Sequence, residues 1–322
     1  MGKLASTRVV DPFVSNIMSG YRRPDATAVN HILPIVDVAT EAGKFMDFAA
    51  DASVIRQNLN RALGDSRKRI DIHVGAGAYS TGEVSIEVPT YDREMKNVPV
   101  SQHDNYQSKK DFLAQDTQLL LMEYNVSQVL LTTGNYGTNN TVTLAGAQQW
   151  QNSTATIIKN LRDWLWTVAL MNGVPLAELG IGIAPKPARA LIDSAEGRDR
   201  VKYVGKEVTL DALRGWLECK EVVLLNGMYA SDFNPEDPTA VSFTTMYDDE
   251  VIVYIPITNP TAVDPLAGGI ARLEGHPIVT RYRDETKSAD ISANDDNWGV
   301  FWKPANRRIF LAKSVSGLPA LF

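Results

Sequence analysis

FLAQDTQLLLMEYNVSQVLL, residues 112–131, contains neither proline nor glycine and reads as one long helix. Its apolar groups do not share one side. At about 100° per residue, Phe112, Leu119, Met122, Val126, Val129 and Leu130 gather into one stripe. Leu113, Leu120, Tyr124 and Leu131 gather into a second, roughly a quarter-turn or more away. Asp116, Glu123 and Ser127 form a narrow polar strip between the two, and Gln118, Asn125 and Gln128 hold the far side. A surface helix needs a single apolar stripe. Two stripes call either for burial deep in one core or for a helix that grips two layers. In the second case one stripe is partly uncovered in the isolated chain.

Upstream of this helix the pattern is irregular. Residues 1–35 hold no lasting period and carry Asp11-Pro12, Gly20, Pro24 and Pro34, which suits an extended arm with a short helical turn. Residues 36–82 read as irregular and partly helical, with a short helix at 53–63 and a basic knot, Arg67-Lys68-Arg69. HVGAGAYSTG (73–82) suits a turn or an extended loop. GEVSIEV (82–88) alternates as a strand with one buried face does. Asn105 or Ser108 is the expected cap of the long helix.

Downstream, NSTATIIKNLRDWLWTVALMNGVP (152–175) is a second helix with the stripe Ile157, Leu161, Leu165 and Val168, and with Asn152 or Ser153 as its cap. LGIGIAP (179–185) is a buried strand. KPARALIDSA (186–195) is a helix with Pro187 near its first turn, and TLDALRGWLEC (209–219) is another that starts at Thr209. EVVLLNGMYA (221–230) and DDEVIVYIPI (248–257) are continuous apolar strands. Strands alternating with helices indicate an α/β unit. HPIVTRYRDETKSADIS (276–292) reads as a long, polar, exposed strand or hairpin, and RRIFLAKSV (307–315) as a final strand.

Composition narrows the functional classes. At 322 residues there is ample chain for a large core. A net charge of −6 gives no general polyanion-binding character. Cys219 is the sole cysteine, which excludes an internal disulfide and a cysteine-based zinc site. It ends an apolar helix, as a buried structural cysteine does. His31, His73, His103 and His276 are scattered without metal-ligand spacing. No GxSxG elbow or GxxxxGK[ST] loop occurs. Asp248-Asp249-Glu250 and Asp295-Asp296 read as acidic turns on a solvated surface. Arg67-Lys68-Arg69, flanked by Asp65 and Asp71, reads as a salt-bridging loop rather than a nucleic-acid site. The N-terminus lacks the features of a signal peptide, and no apolar run is long enough for a membrane span. With no catalytic, cofactor or metal constellation, the expected class is a protein whose loose parts become ordered on neighbours.

The order of elements resembles that of the tailed-bacteriophage major capsid proteins, with the Hong Kong 97 type fold. GEVSIEVPTYDREMKNVPVSQHDNYQSKKDFLAQDTQLLLMEYNVSQVLL (82–131) is similar to the family's extended segment and long spine helix. IIKNLRDWLWTVALMNGVPLAELGIGIAPKPARALID (157–193) resembles its helix, turn, buried strand and following helix. TLDALRGWLECKEVVLLNGMYA (209–230), DDEVIVYIPI and HPIVTRYRDETKSADIS match later elements. The likeness covers roughly residues 30–315.

The resemblance implies an α+β architecture: an N-terminal arm at 1–47, an extended E-loop at 48–82, a P-domain with the spine helix at 83–136 and 263–304, and an α/β A-domain at 137–262 and 305–322. It implies a non-enzymatic subunit, without cofactor, that self-assembles into the icosahedral shell enclosing phage double-stranded DNA. The expected location is the virion, after synthesis in the host bacterial cytoplasm. Expected partners are copies of the chain in hexamers and pentamers, a separate scaffolding protein, portal and decoration proteins, and packaged DNA bound without sequence specificity; no membrane is involved. Arg67, Lys68 and Arg69 are the expected E-loop contacts to an acidic neighbour surface, with Asp248, Asp249, Glu250, Asp284 and Glu285 as candidate partners. No crosslink is carried over to Lys68. The alternatives are an encapsulin-like compartment shell and an α/β enzyme with a site assembled from distant residues.

Overall fold

A computed structural model of the chain describes residues 8–21, 23–24, 26–48, 60, 74–202, 208–232, 242–257, 267–303 and 308–314. The arm supplies β1 (Val9–Val10), α1 (Pro12–Gly20), α2 (Thr27–His31) and β2 (Ile35–Val38). β3 (Ala42–Phe48) pairs antiparallel with β4 (Val74–Ser80), and β5 (Gly82–Tyr91) leads through α3 (Asp92–Met95) into the long helix α4 (His103–Leu131). Then come β6 (Thr141–Thr143), α5 (Ile157–Asn172), β7 (Gly180–Ile183), α6 (Pro185–Asp193), α7 (Ala195–Val201), α8 (Leu210–Leu217) and β8 (Glu221–Leu224). β9 (Met228–Asp232) pairs with β10 (Ser242–Thr245), and β11 (Glu250–Tyr254), β12 (Gly268–Leu273), β13 (Ile278–Asp284), β14 (Ala289–Trp302) and β15 (Ile309–Lys313) complete the order.

Two sheets organise these elements. The six-stranded sheet is built on β14. Trp298 is in register with both Gly82 and Arg272, and Asp295 with both Ser85 and Ile278. A strand has two edges, so β5 lines one edge of β14 while β12 and β13 follow each other along the other. The arm extends this sheet, with β1 antiparallel to β13 and β2 parallel to β12. In β5, Glu83, Ser85 and Glu87 are exposed and Val84, Ile86 and Val88 half-buried, the period-two pattern expected from the sequence.

The five-stranded sheet has the order β6-β15-β11-β7-β8. Every residue of β11 is buried because both faces are covered. Val251 and Val253 join Ile181, Ile183 and Phe310 in a core with Leu161 and Leu165 of α5 and Leu213 of α8. Ile252 and Tyr254 join Ile309 and Leu311 in a second core with α2 and with Leu119, Met122, Val126 and Leu130 of α4. That second core also takes in Ile270 and Trp298 of the six-stranded sheet, so α4 lies between the two sheets.

The first stripe of α4 is buried at these four residues, with Phe112 and Val129 half-buried. In the second stripe Leu113 is 63% exposed, and Leu120, Tyr124 and Leu131 are half-buried. Leu120, Tyr124 and Leu131 pack against the same core as the first stripe, so the second stripe is only partly uncovered, chiefly at Leu113. Gln118 is a correction: it is buried, not on a solvent side. Its Nε2 donates to the backbone oxygens of Val84 (3.1 Å) and Asn294 (2.8 Å). Asn294 Nδ2 donates to Gln115 Oε1 at 2.6 Å, and Arg281 Nη2 donates to Asp111 Oδ2 at 2.6 Å. The first half of α4 is thus bound to its sheet by polar groups, a face that counting apolar residues does not find.

The polar strip of α4 holds the arm. Tyr21 Oη donates to Asp116 Oδ1 at 2.9 Å, and the Tyr21 ring lies 5.4 Å from that of Phe112. Glu123 is 1% exposed. It accepts the backbone N–H groups of Ala28 (3.0 Å) and Val29 (2.9 Å) and the Tyr247 hydroxyl (3.0 Å). α2 has no side-chain cap of its own, and Glu123 supplies one from another helix.

Other local expectations change. Within HVGAGAYSTG, Val74–Ser80 forms β4 and Gly82 begins β5, and 36–48 holds strands β2 and β3 joined by a bend at 39–41. The expected helix at 53–63 lies outside the described residues, Asn60 aside. EVVLLNGMYA is broken at Leu225-Asn226-Gly227 into β8 and β9, which sit in different sheets. HPIVTRYRDETKSADIS is a hairpin with a substantially buried face, including Val279, Arg283 and Ser292. Thr209 caps α8 as expected, accepting from Ala212 N. The expected caps of α4 and α5 are not used. α4 begins at His103 directly after a 3-10 turn, and the first turn of α5 receives Glu196 Oε2 of α7 on Ile158 N at 3.0 Å.

Replacing Glu123 by Ala is expected to destabilise the folded chain by about 3 kcal/mol or more, because three donors lose their acceptor in the core. Tyr247→Phe should cost about 1–2 kcal/mol. Urea denaturation of both variants measures these differences.

Candidate assembly surfaces

The β3–β4 pair is built from glycines covered by aromatic rings. Gly43 is in register with Tyr79, and Phe45 with Gly77. A Cβ on Gly43 would sit 2.5 Å from the Tyr79 hydroxyl, and one on Gly77 would sit 2.0 Å from the Phe45 ring. Each ring therefore lies across the glycine opposite it, replacing the side-chain contact that glycine lacks. Phe45 also packs against Phe301 of β14, with ring centroids 4.9 Å apart, in a small core with Val36, Val38 and Ala271. These contacts fix the base of the pair on the six-stranded sheet. The sequence carries the signal only as alternating Gly and Ala in 75–78, with no hint of the ring partner some thirty residues away.

Large apolar side chains stand exposed on several elements: Phe13 and Ile17 on α1, Leu113 and Leu121 on α4, and Trp166 and Leu170 on α5. Scattered apolar groups are ordinary on a monomer. Here they fall on the outer faces of helices whose other faces are already packed, so they are available to neighbours.

The charged candidates separate. Arg67, Lys68 and Arg69 lie outside the described residues. Asp248 pairs with Lys186 Nζ at 2.7 Å yet remains 52% exposed, and Asp249 is half-buried beside it. Asp284 accepts the N–H groups of Thr286 and Lys287 and so closes the β13–β14 turn, while Glu285 is exposed. Glu250 is a correction. It is buried, accepts the N–H groups of Asp248 (2.7 Å) and Asp249 (3.1 Å), and lies 3.6 Å from Lys313 Nζ. Burial raises its pKa against those contacts. Its contacts hold the turn from inside, and almost none of its surface is exposed. Asp296 is no solvated turn either: it is buried in β14, and Arg272 Nε donates to its Oδ1 at 2.9 Å.

Cys219 is buried, with its thiol directed at the Glu221 carbonyl at 3.6 Å. Burial pushes its pKa up to about 11, so it stays a neutral thiol. Among the described residues no group of three or more His, Cys, Asp and Glu side chains is placed to hold a metal ion, and no helix is long and apolar enough to cross a membrane.

No protein-family model matches the chain. It is 22% identical over 297 residues to the major capsid protein of Burkholderia phage BcepMu, covering 88% of this chain and 90% of that one. The structure is similar to that of a phage-related protein from Bordetella bronchiseptica RB50, with 23% identity, a TM-score of 0.78 and coverage of 98% and 100%. It is also similar to the capsid of cyanophage P-SCSP1u, with 10% identity, a TM-score of 0.61 and coverage of 92% and 90%. The fold is the Hong Kong 97 capsid type. Within that fold α4 is the spine helix, laid between two sheets and bridged by the arm, as described above.

Gly77→Val should displace the Phe45 ring and distort the β3–β4 pair of this capsid fold while leaving the two main cores intact. The expected result is a folded subunit with little change in helix content by circular dichroism and sharply reduced particle yield by sedimentation.

Proposed function

We propose that the chain is a major capsid protein that self-assembles into the icosahedral shell of a tailed phage. The observation that carries this reading is the match to a phage major capsid protein over 88% of this chain and 90% of that one, on a chain with the capsid fold. A partial match would leave room for a shared domain in an unrelated protein. A match over about nine-tenths of both chains favours a shell subunit over the compartment-shell and enzyme alternatives.

The domain plan follows the two sheets. We assign the six-stranded sheet and α4 to the P-domain, the five-stranded sheet with α5 to α8 to the A-domain, and the β3–β4 pair to the base of the E-loop. In this plan the arm belongs to both halves, because β1 and β2 extend one sheet while α2 enters the core shared with the other. Partners are copies of the chain in hexamers and pentamers, a scaffolding protein, a portal, decoration proteins and packaged DNA. The finished protein is a virion component made in the host cytoplasm. Assembly rests on many weak contacts multiplied by symmetry. Exposed charge pairs contribute only about 0–1 kcal/mol each, so apolar and strand-edge contacts carry most of the affinity, and charge sets register.

Negative-stain microscopy and sedimentation of the expressed chain, with and without the products of neighbouring genes, test the reading. Megadalton shells or capsomers that close on adding a scaffold are expected. A small, closed oligomer under every condition would reject it. Reversing Arg67, Lys68 and Arg69 to Glu should lower the yield of closed particles severalfold without unfolding the subunit. Normal assembly of that variant would remove these residues from the interface.

A further inference from the structure

His31 is the last residue of α2, and its imidazole reaches the edge strand of the five-stranded sheet. Nδ1 lies 3.4 Å from Oε2 of Glu221, the first residue of β8. The other oxygen of that carboxylate is fixed: Tyr254 Oη of β11 donates to Oε1 at 2.7 Å. Glu221 therefore has one partner inside the sheet and one on the arm. The side chains are 39% and 27% exposed, so the pair exchanges protons with solvent while remaining partly shielded.

α2 is held at both ends by carboxylates that come from other elements. Glu123 of α4 is buried and takes its N-terminal N–H groups through hydrogen bonds that do not require His31 to be charged. Glu221 takes its C-terminal residue, and that contact is an ion pair only when the imidazole is protonated. α4 is bound to the six-stranded sheet through Gln115, Gln118 and Asp111, whereas β8 belongs to the five-stranded sheet. The short helix thus ties one half of the subunit to the other.

We propose that His31 and Glu221 form a protonation-dependent latch that fastens the arm helix to the edge of the five-stranded sheet. The groups acting on it come from four elements. Glu221 (β8), with Lys220 beside it, and Glu123 (α4) supply charge. Tyr254 (β11) and Cys219 (after α8) stay neutral, because burial raises their pKa values. No other residue of α2 titrates. Contact with Glu221 raises the His31 pKa despite partial burial, and the same contact lowers that of Glu221. The raised histidine makes the latch complete below the unfolded imidazole value of about 6.5 and releases it as pH climbs through the folded value. The lowered glutamate makes the latch complete above the unfolded carboxylate value of about 4.3 and releases it as pH falls through the folded one. The arm is held most firmly in mildly acidic solution. This inference concerns the single subunit and stands apart from the shell reading.

Hydrogen exchange of the full, unassembled chain at about pH 6 and about pH 8.5, corrected for the intrinsic pH dependence of exchange, tests it on the peptide covering 26–33. Wild-type amides there should lose protection by roughly two- to fivefold at the higher pH. His31→Gln and Glu221→Gln should show the lower protection at both. Peptides of α5 should be unchanged in all three proteins, which verifies folding. Wild-type protection that ignores pH, or a His31→Gln variant that keeps the pH dependence, overturns the latch. Imidazole NMR gives an independent readout: the His31 pKa should fall in Glu221→Gln, and an unchanged value also overturns it.

Discussion

A carboxylate sealed in a protein interior must be given donors or it opposes folding. Glu123 meets this condition with two backbone N–H groups of α2 and one hydroxyl, from Tyr247, just before β11. Three parts of the chain far apart in sequence are fixed to one point by this requirement. The constraint works in both directions. α2 is five residues long, far too short to persist alone, and it exists because Glu123 caps it and the surrounding core buries Ala28, Val29 and Leu33. Glu123 in turn tolerates burial only with α2 in place. The arm is therefore part of the subunit's core at this point, and β2 after it continues into a core through Val36 and Val38.

The spine helix extends the same logic along its length. Its first half meets the six-stranded sheet through Asp111, Gln115 and Gln118, and its second half enters an apolar core through Leu119, Met122, Val126 and Leu130. Hydrogen bonds are directional, so the polar half fixes register and rotation on β5 and β14. Apolar burial is not directional, and it supplies most of the free energy. A helix held in this way has a defined rotation, so the side that faces away from both sheets, with Leu113 and Leu121, has a defined position too.

What the sequence makes legible follows from how local the determinant is. β5 and β11 were visible because strand patterning lies within a few residues. The start of α8 was visible because Thr209 caps its own helix. The caps of α4 and α5 were misplaced for the opposite reason: α5 receives Glu196, a donor-satisfying group nearly forty residues downstream. Asp296 looked like part of an acidic turn because its partner, Arg272, is reached only once β12 and β14 have paired. Glu123 falls in the polar strip of α4, but nothing in its sequence neighbourhood shows that α2 brings backbone donors to it. The overall class came through because the order of elements is itself a pattern that extends along the whole chain.

The β3–β4 pair shows why the candidate assembly surfaces were the least legible part. Its stability comes from rings laid over opposite glycines and from one anchor, Phe45 on Phe301. Such a structure needs small residues for close approach, and small residues are also what a loop contains, so composition alone cannot separate them. The same feature suits a projecting element. Bulky side chains would have to be buried within the subunit to stabilise the pair. Glycine and alanine with a few rings let it hold its shape with little core of its own. The base must still be rigid, because an element that reaches outward multiplies any angular error at its root. Packing Phe45 into the corner made by Val36, Val38, Ala271 and Phe301 sets that angle against the longest strand of the sheet. The interior thereby fixes the direction in which the pair leaves the sheet.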